Sequence, residues 1–135
     1  MATLVMKFGG TSVANVERIR NVAAHVKREV DAGNKAAVVV SAMSGATNQL
    51  VAWVREASLL HDAREYDAVV ASGECVTAGL LAIVLQSMGI QARSWQGWQI
   101  PVITDQAHGA ARIVDIPGER LRQRLDAGEV AVVTG

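Results

Sequence analysis

Within its first 41 residues the chain changes its hydrophobic pattern twice, and this limits the folds open to it. Residues 2–8 form a short apolar run, closed by Gly9 and Gly10, that reads as a buried strand. From Asn15 the period becomes helical, with Val16, Ile19, Val22, Ala23, Val26 and Val30 on one stripe. Asn15 is placed to cap that helix and Gly33 to stop it. The run "AAVVVS", Ala36 to Ser41, is a second buried strand. Strand, helix and strand in about 40 residues is the size and order of a βαβ crossover. It predicts a largely parallel sheet covered by helices.

The same reading carries on along the chain. Gln49 to Leu60 has helical spacing, and Tyr66 to Met88 predicts one or two helices broken near Ser72 and Gly73. Short strands are expected around Ala92 to Trp95, Val102 to Thr104 and Ala111 to Ile116. Pro117 then opens a helix running to Ala127. A final strand, "EVAVVTG", ends on Thr134 and Gly135, and α/β proteins place ligand loops at such strand ends. The expectation is the front part of a larger α/β domain.

Composition narrows the function classes. The 135 residues carry 13 basic and 13 acidic side chains, so no net field favours nucleic acid or an anionic membrane. The longest unbroken apolar run, Leu80 to Leu85, is far short of the roughly 20 residues that span a bilayer. The first residues lack the pattern of a signal peptide, and the single cysteine, Cys75, suits a reducing compartment. The reading is a soluble cytoplasmic protein in which any anion is bound locally.

Three stretches can carry chemistry. In "KFGGTS", Gly9 and Gly10 leave backbone N–H groups open, Lys7 adds a charge, and Thr11 and Ser12 add hydroxyls. The following helix turns its positive dipole end toward the same loop. The set suits phosphate oxygens, yet these residues equally fit a glycine turn with Lys7 reaching solvent. After the second strand, "SAMSGATN" sets Ser41, Ser44 and Thr47 on the sheet edge that the first loop shares, with Ser44 or Thr47 as an alternative helix cap. In "ASGECVTAGLL", Glu74 is a partly buried carboxylate in need of a partner, or else a first-turn acid favoured by the helix dipole. Cys75 reads as a small core residue. His25, His61 and His108 lack metal-ligand spacing, and Trp95 and Trp98 read as core and turn packing.

In order along the chain, "KFGGTSV", "VVVSAMSGATN", "REYDAVVASGE", "SWQGWQIPVITD" and "HGAARI" closely resemble the aspartokinases of the amino-acid kinase family. The likeness runs over essentially the whole chain. It implies a three-layer α/β/α sandwich around a largely parallel sheet, and transfer of the γ-phosphoryl group of ATP to the β-carboxylate of aspartate. It implies Lys7 as the catalytic lysine, with Lys7, Phe8, Gly9, Gly10, Ser12 and Ser41 toward ATP and its phosphates. Thr47 and Glu74 are then the aspartate-binding positions, with Mg²⁺ carried by the phosphates and no metal held by the protein alone. The product, 4-phospho-L-aspartate, stands at the entry to lysine, threonine and methionine synthesis.

Two departures from the family pattern stand out. Cys75 replaces a usual glutamine. The family's second glycine loop, nucleotide-binding half and ACT domains have no counterpart in these residues. The expectation is therefore a substrate-side portion that is inactive alone and joins either its remainder or a copy of itself. The alternatives are a non-catalytic fragment complementing a separate chain, or a kinase for glutamate or acetylglutamate.

Overall fold

A computed structural model describes residues 1–135. The main sheet contains β1 (Thr3–Phe8), β2 (Lys35–Val40), β3 (Ala92–Trp95) and β6 (Val130–Thr134), in the order β1-β2-β6-β3. All three pairings are parallel, as the crossover pattern predicts. Helices α1 (Val16–Asp31) and α4 (Ser72–Ser87) cover one face. Ile19, Val22 and Val26 of α1 and Ala78, Leu81 and Leu85 of α4 meet Val38, Val40, Val130 and Val132 of the strands there. Helix α5 (Glu119–Asp126) covers part of the other face, setting Leu121 and Leu125 against Trp95, Ala131 and Val133. The result is a three-layer α/β/α arrangement with one thin layer.

Helix α1 begins as its sequence predicts: Asn15 is extended, and its side chain accepts from the Arg18 N–H at 2.9 Å. Gly33, at φ 90°, turns the chain out of the helix into β2. Helix α2 (Ala46–Ala57) starts three residues earlier than its apolar spacing indicates. Neither Ser44 nor Thr47 caps it; Gly45 does, at φ 79° with no side-chain hydrogen bond. A backbone device of that kind leaves little trace in a hydrophobic pattern.

The expected break near Ser72 and Gly73 falls at Ala71, between α3 (Ala63–Val70) and α4. Ala71 itself keeps helical angles, so residues 63–87 run as nearly one rod. By length and composition that rod is apolar enough to cross a bilayer. Its stripe of Ala78, Leu81, Ala82 and Leu85 is instead committed to the sheet.

Two expectations about strands change. β1 is an edge strand with alternating exposure, because nothing packs over its outer face; Val5 is 73% exposed and Lys7 is exposed, not buried. The segments around residues 102–104 and 111–116 stay out of the main sheet. They pair with each other as an antiparallel ribbon, β4 (Ile103–Thr104) with β5 (Ile113–Asp115). Trp95 is buried as expected, whereas Trp98 is 75% exposed.

Candidate active site

Because the four strands are parallel, their carboxyl ends share one edge, and the loops there are stitched together. The Ser41 N–H donates to the Phe8 carbonyl at 3.2 Å, and the Gly135 N–H donates to the Val40 carbonyl at 2.9 Å. The loops after β1 and β2 and the carboxyl end of β6 are thus held side by side. Lys7 pairs with Val39 and Val39 with Val133, so Lys7 stands at the outer end of a row on the face shared with α5.

The loop after β1 is built for access rather than for an unusual turn. Neither Gly9 nor Gly10 has a positive φ. A methyl group added at Gly9 would meet nothing within 4 Å, and one at Gly10 would lie 3.5 Å from the Ala42 carbonyl oxygen. The glycines keep that space empty and the backbone reachable. Ser12 and Val13 donate back to the Gly9 and Gly10 carbonyls, while the N–H groups of Gly9, Gly10 and Thr11 make no hydrogen bond within the chain. Val13 is fully buried and anchors the loop from below. Ser12 is exposed, and Phe8 is half-buried against the main core. Three free N–H groups beside an exposed lysine are donors of the kind that oxygen anions accept from.

After β2, Ser41 is half-buried and Ala42 buried, and the chain turns through Gly45 into α2. Thr47 is exposed in the first turn of that helix, where the N–H groups of Thr47 and Asn48 have no acceptor in the chain. Ser41 and Thr47 therefore flank a second set of donors on the same edge.

Glu74 arrives through the closest approach in the region. A methyl group at Gly73 would stand 2.9 Å from the Ala42 β-carbon and 3.4 Å from Leu50 Cδ1, so only glycine lets the start of α4 rest on the loop after β2. The next residue, Glu74, is half-buried and makes no ion pair or hydrogen bond through its carboxylate. A half-buried carboxylate without a partner, beside a loop rich in donors, is suited to an ammonium group. No group of three or more His, Cys, Asp or Glu gathers anywhere in the chain.

The candidate site residues Lys7, Phe8, Gly9, Gly10, Ser12, Ser41, Thr47 and Glu74 thus lie at one sheet edge or on the helix that abuts it. Sequence reasoning missed Ala42 and the steric role of Gly73, which are contacts between elements, and Gly45 as a cap. The glycine of "ASGE" is visible in the sequence, but only the packing shows what it makes room for.

The free N–H donors, the lysine and the unpaired carboxylate thus gather at the carboxyl edge of a parallel α/β sheet, where such sheets place their ligand-binding loops. The chain belongs to the amino acid kinase family, whose model matches residues 2–135. It is 44% identical over 138 residues to an aspartokinase of Rickettsia felis, covering 100% of this chain and 34% of that protein. It is 47% identical over 135 residues to the aspartate kinase Ask_LysC of Stutzerimonas stutzeri, covering 33% of it. The chain thus spans about a third of the length of these curated relatives. Aspartate kinase from Synechocystis superposes with a TM-score of 0.82 at 40% identity, over 97% of this chain and 21% of that one. E. coli aspartokinase III, in complex with aspartate and ADP, shares the fold with a TM-score of 0.81 at 22% identity, over 98% of this chain and 40% of that one.

Proposed function

We propose that these residues form the amino-acid side and the phosphoryl loop of an aspartate kinase, a cytoplasmic enzyme. The reaction passes the γ-phosphoryl group of ATP to the β-carboxylate of L-aspartate, giving 4-phospho-L-aspartate for lysine, threonine and methionine synthesis. The observation that carries this reading is Glu74: half-buried, unpaired, and held by the Gly73–Ala42 contact beside the donors of the two loops.

The chemistry follows from charge. The attacking carboxylate is ionised at neutral pH, so no general base is needed. A carboxylate oxygen forms a bond to the γ-phosphorus as the bond to the β–γ bridging oxygen breaks, and ADP leaves with that electron pair. The barrier lies in bringing two anions together, so catalysis rests on position and charge stabilisation. Lys7 and the N–H groups of Gly9, Gly10 and Thr11 meet the transferring group, with Phe8 and Ser12 shaping that loop. Ser41 and Thr47 donate to carboxylate or phosphate oxygens, and Glu74 takes the α-ammonium of aspartate. Mg²⁺ enters with ATP, bound through its phosphates, and neutralises part of their charge. Adenine and ribose contacts come from outside these residues, from a remainder or a second copy. The exposed Val5 and the single-sided pairing of β1 support such an association.

Calorimetry with aspartate, glutamate and acetylglutamate tests the substrate. Aspartate is expected to bind best and Glu74→Gln to abolish binding; preference for either of the other acids overturns the assignment. Hydroxamate trapping of acyl phosphate with ATP and Mg²⁺ tests the division of labour. Little or no turnover is expected of the 135 residues alone, and robust turnover contradicts it.

A further inference from the structure

The helices that cover the sheet leave one apolar surface bare, on the side of α2 and α3. Residues 63–87 form a nearly continuous rod, yet only 33% of its most apolar stretch is buried. Val69 and Val76 of that rod are exposed, and so is Trp53 of α2, which stands between two clefts. One, of about 200 Å³, lies between α2 and the start of α4 and is lined by Leu50, Trp53 and Val76. The other, of about 360 Å³, lies between α2 and α3 and is lined by Trp53, Val54, Tyr66 and Val69. Contiguous apolar surface of this kind marks a place of contact.

The loop that joins α2 to α3 carries the counterpart. Leu59 is 86% exposed and Leu60 96%. The loop is nevertheless braced. Ser58 Oγ donates to the Leu60 carbonyl at 2.9 Å, His61 Nδ1 lies 3.2 Å from the Ser58 carbonyl oxygen, and the His61 ring stacks on Tyr66 with centroids 5.4 Å apart. Asp62 then starts α3 by accepting from the N–H groups of Arg64 and Glu65. Two leucines are thus held out to water in a fixed loop, so little ordering entropy opposes their entry into an apolar cleft. Ser58 and His61, on either side of them, belong to the wall of the α2–α3 cleft, so knob and cleft are neighbours on one face.

We propose that this face is an interface between two copies of the chain, with Leu59 and Leu60 of each seated in the cleft beside Trp53 of the other. The rim supports a copy as the occupant. Arg55, Glu56, Arg64 and Glu65 are exposed and take part in no ion pair within the chain. With both signs present in equal number, the rim holds no excess of positive charge for an anionic membrane, and it offers each copy opposite charges to meet. Because knob and cleft lie on the same face, a two-fold axis forms both contacts at once and closes the pair. The surface is distinct from the open edge of β1, and it stands whether or not Glu74 binds aspartate.

Sedimentation of the 135-residue chain over a wide range of concentration tests this. The unmodified chain is expected to pass from monomer to dimer and no further, since a two-fold contact leaves no free end. Leu60→Asp, which spoils the knob, and Val69→Asp, which spoils the cleft, are each expected to weaken the dimer about a hundredfold or more, because every change enters the interface twice. Mixed together, the two variants keep one of the two contacts intact. They are expected to form a heterodimer tighter than either variant with itself and weaker than the unmodified pair. Val5→Asp, on the edge of β1, is expected to leave the dimer unchanged. Leu60→Ser and Val69→Ser repeat the comparison where urea unfolding shows that an aspartate variant has lost its fold. A chain that is monomeric at every concentration overturns the proposal, whether or not it binds lipid vesicles. So does a dimer that the Leu60 and Val69 variants form undiminished, or one that only Val5→Asp disrupts.

Discussion

Gly73 and Ala42 touch across two elements so closely that a β-carbon on Gly73 would lie 2.9 Å from that of Ala42. Real β-carbons do not approach this near, so Gly73→Ala must push the start of α4 away from the loop after β2. Replacing a helical glycine with alanine would otherwise gain about 1 kcal/mol. Gly79, in the same helix with nothing within 4 Å of its added methyl, supplies the control. Gly79→Ala is expected to stabilise the chain by about 0.5–1 kcal/mol. Gly73→Ala is expected to destabilise it by about 1–3 kcal/mol and to weaken aspartate binding, since Glu74 moves with the helix. Urea unfolding of the two variants decides this, and equal shifts in the same direction would show that the contact is not tight.

Lys7 is exposed on an edge strand and makes no ion pair, so its side chain does little for the fold. Lys7→Met is expected to change stability by less than about 0.5 kcal/mol. Binding of inorganic pyrophosphate, used as a probe for the loop, is expected to fall by tenfold or more at low salt, and the difference to shrink as ionic strength rises. A variant that binds pyrophosphate as well as the unmodified chain would remove Lys7 from the phosphoryl site.

Asn15 sets the start of α1, and with it the span of the loop from Gly9 to Ala14. Its side chain holds the Arg18 N–H at 2.9 Å, and Asn15→Ala is expected to cost about 1 kcal/mol in a urea titration. Asn15→Asp preserves the acceptor and adds a favourable charge at the helix start, so it should restore that loss. If both substitutions cost the same, the cap is not what ties the loop down.

How far the sequence speaks depends on whether a feature is local. The stripe of α1, its cap and the apolar strands are set by neighbours in the chain, and their reading agrees with the structure. The buried reading of residues 2–8 fails because burial of a strand depends on what lies over it, and β1 is an edge strand with only β2 beside it. The start of α2 escaped because Gly45 caps it by backbone angle instead of by side chain. The antiparallel pairing of Ile103 with Asp115 and the hydrogen bond from the Gly109 N–H to Asp67 join residues 12 and 42 apart, respectively, and no local periodicity encodes such partners. For the candidate site, "KFGGTS" declared its donors openly, whereas the crowding that makes Gly73 necessary became visible only once α4 met Ala42.

On the face opposite α1 and α4, Lys35 Nζ lies 2.7 Å from Asp126 Oδ1, tying the first residue of β2 to the last of α5. The hydrogen bond from Lys35, and then its charge, hold the Asp126 carboxyl below its ordinary value. A carboxyl depressed in the folded state binds fewer protons there than in the unfolded chain, so its contribution is complete above the unfolded value, about pH 4, and is lost as pH falls through the lower folded value. Asp126→Asn is therefore expected to be less stable than the unmodified chain at pH 6, with the gap closing in strongly acid solution. Both partners reach water, so the gap should be small and should narrow in high salt. Urea midpoints at pH 6 and near pH 2.5, in low and high salt, provide the check. A gap that persists undiminished in acid would mean that Asp126 supports α5 through packing rather than charge.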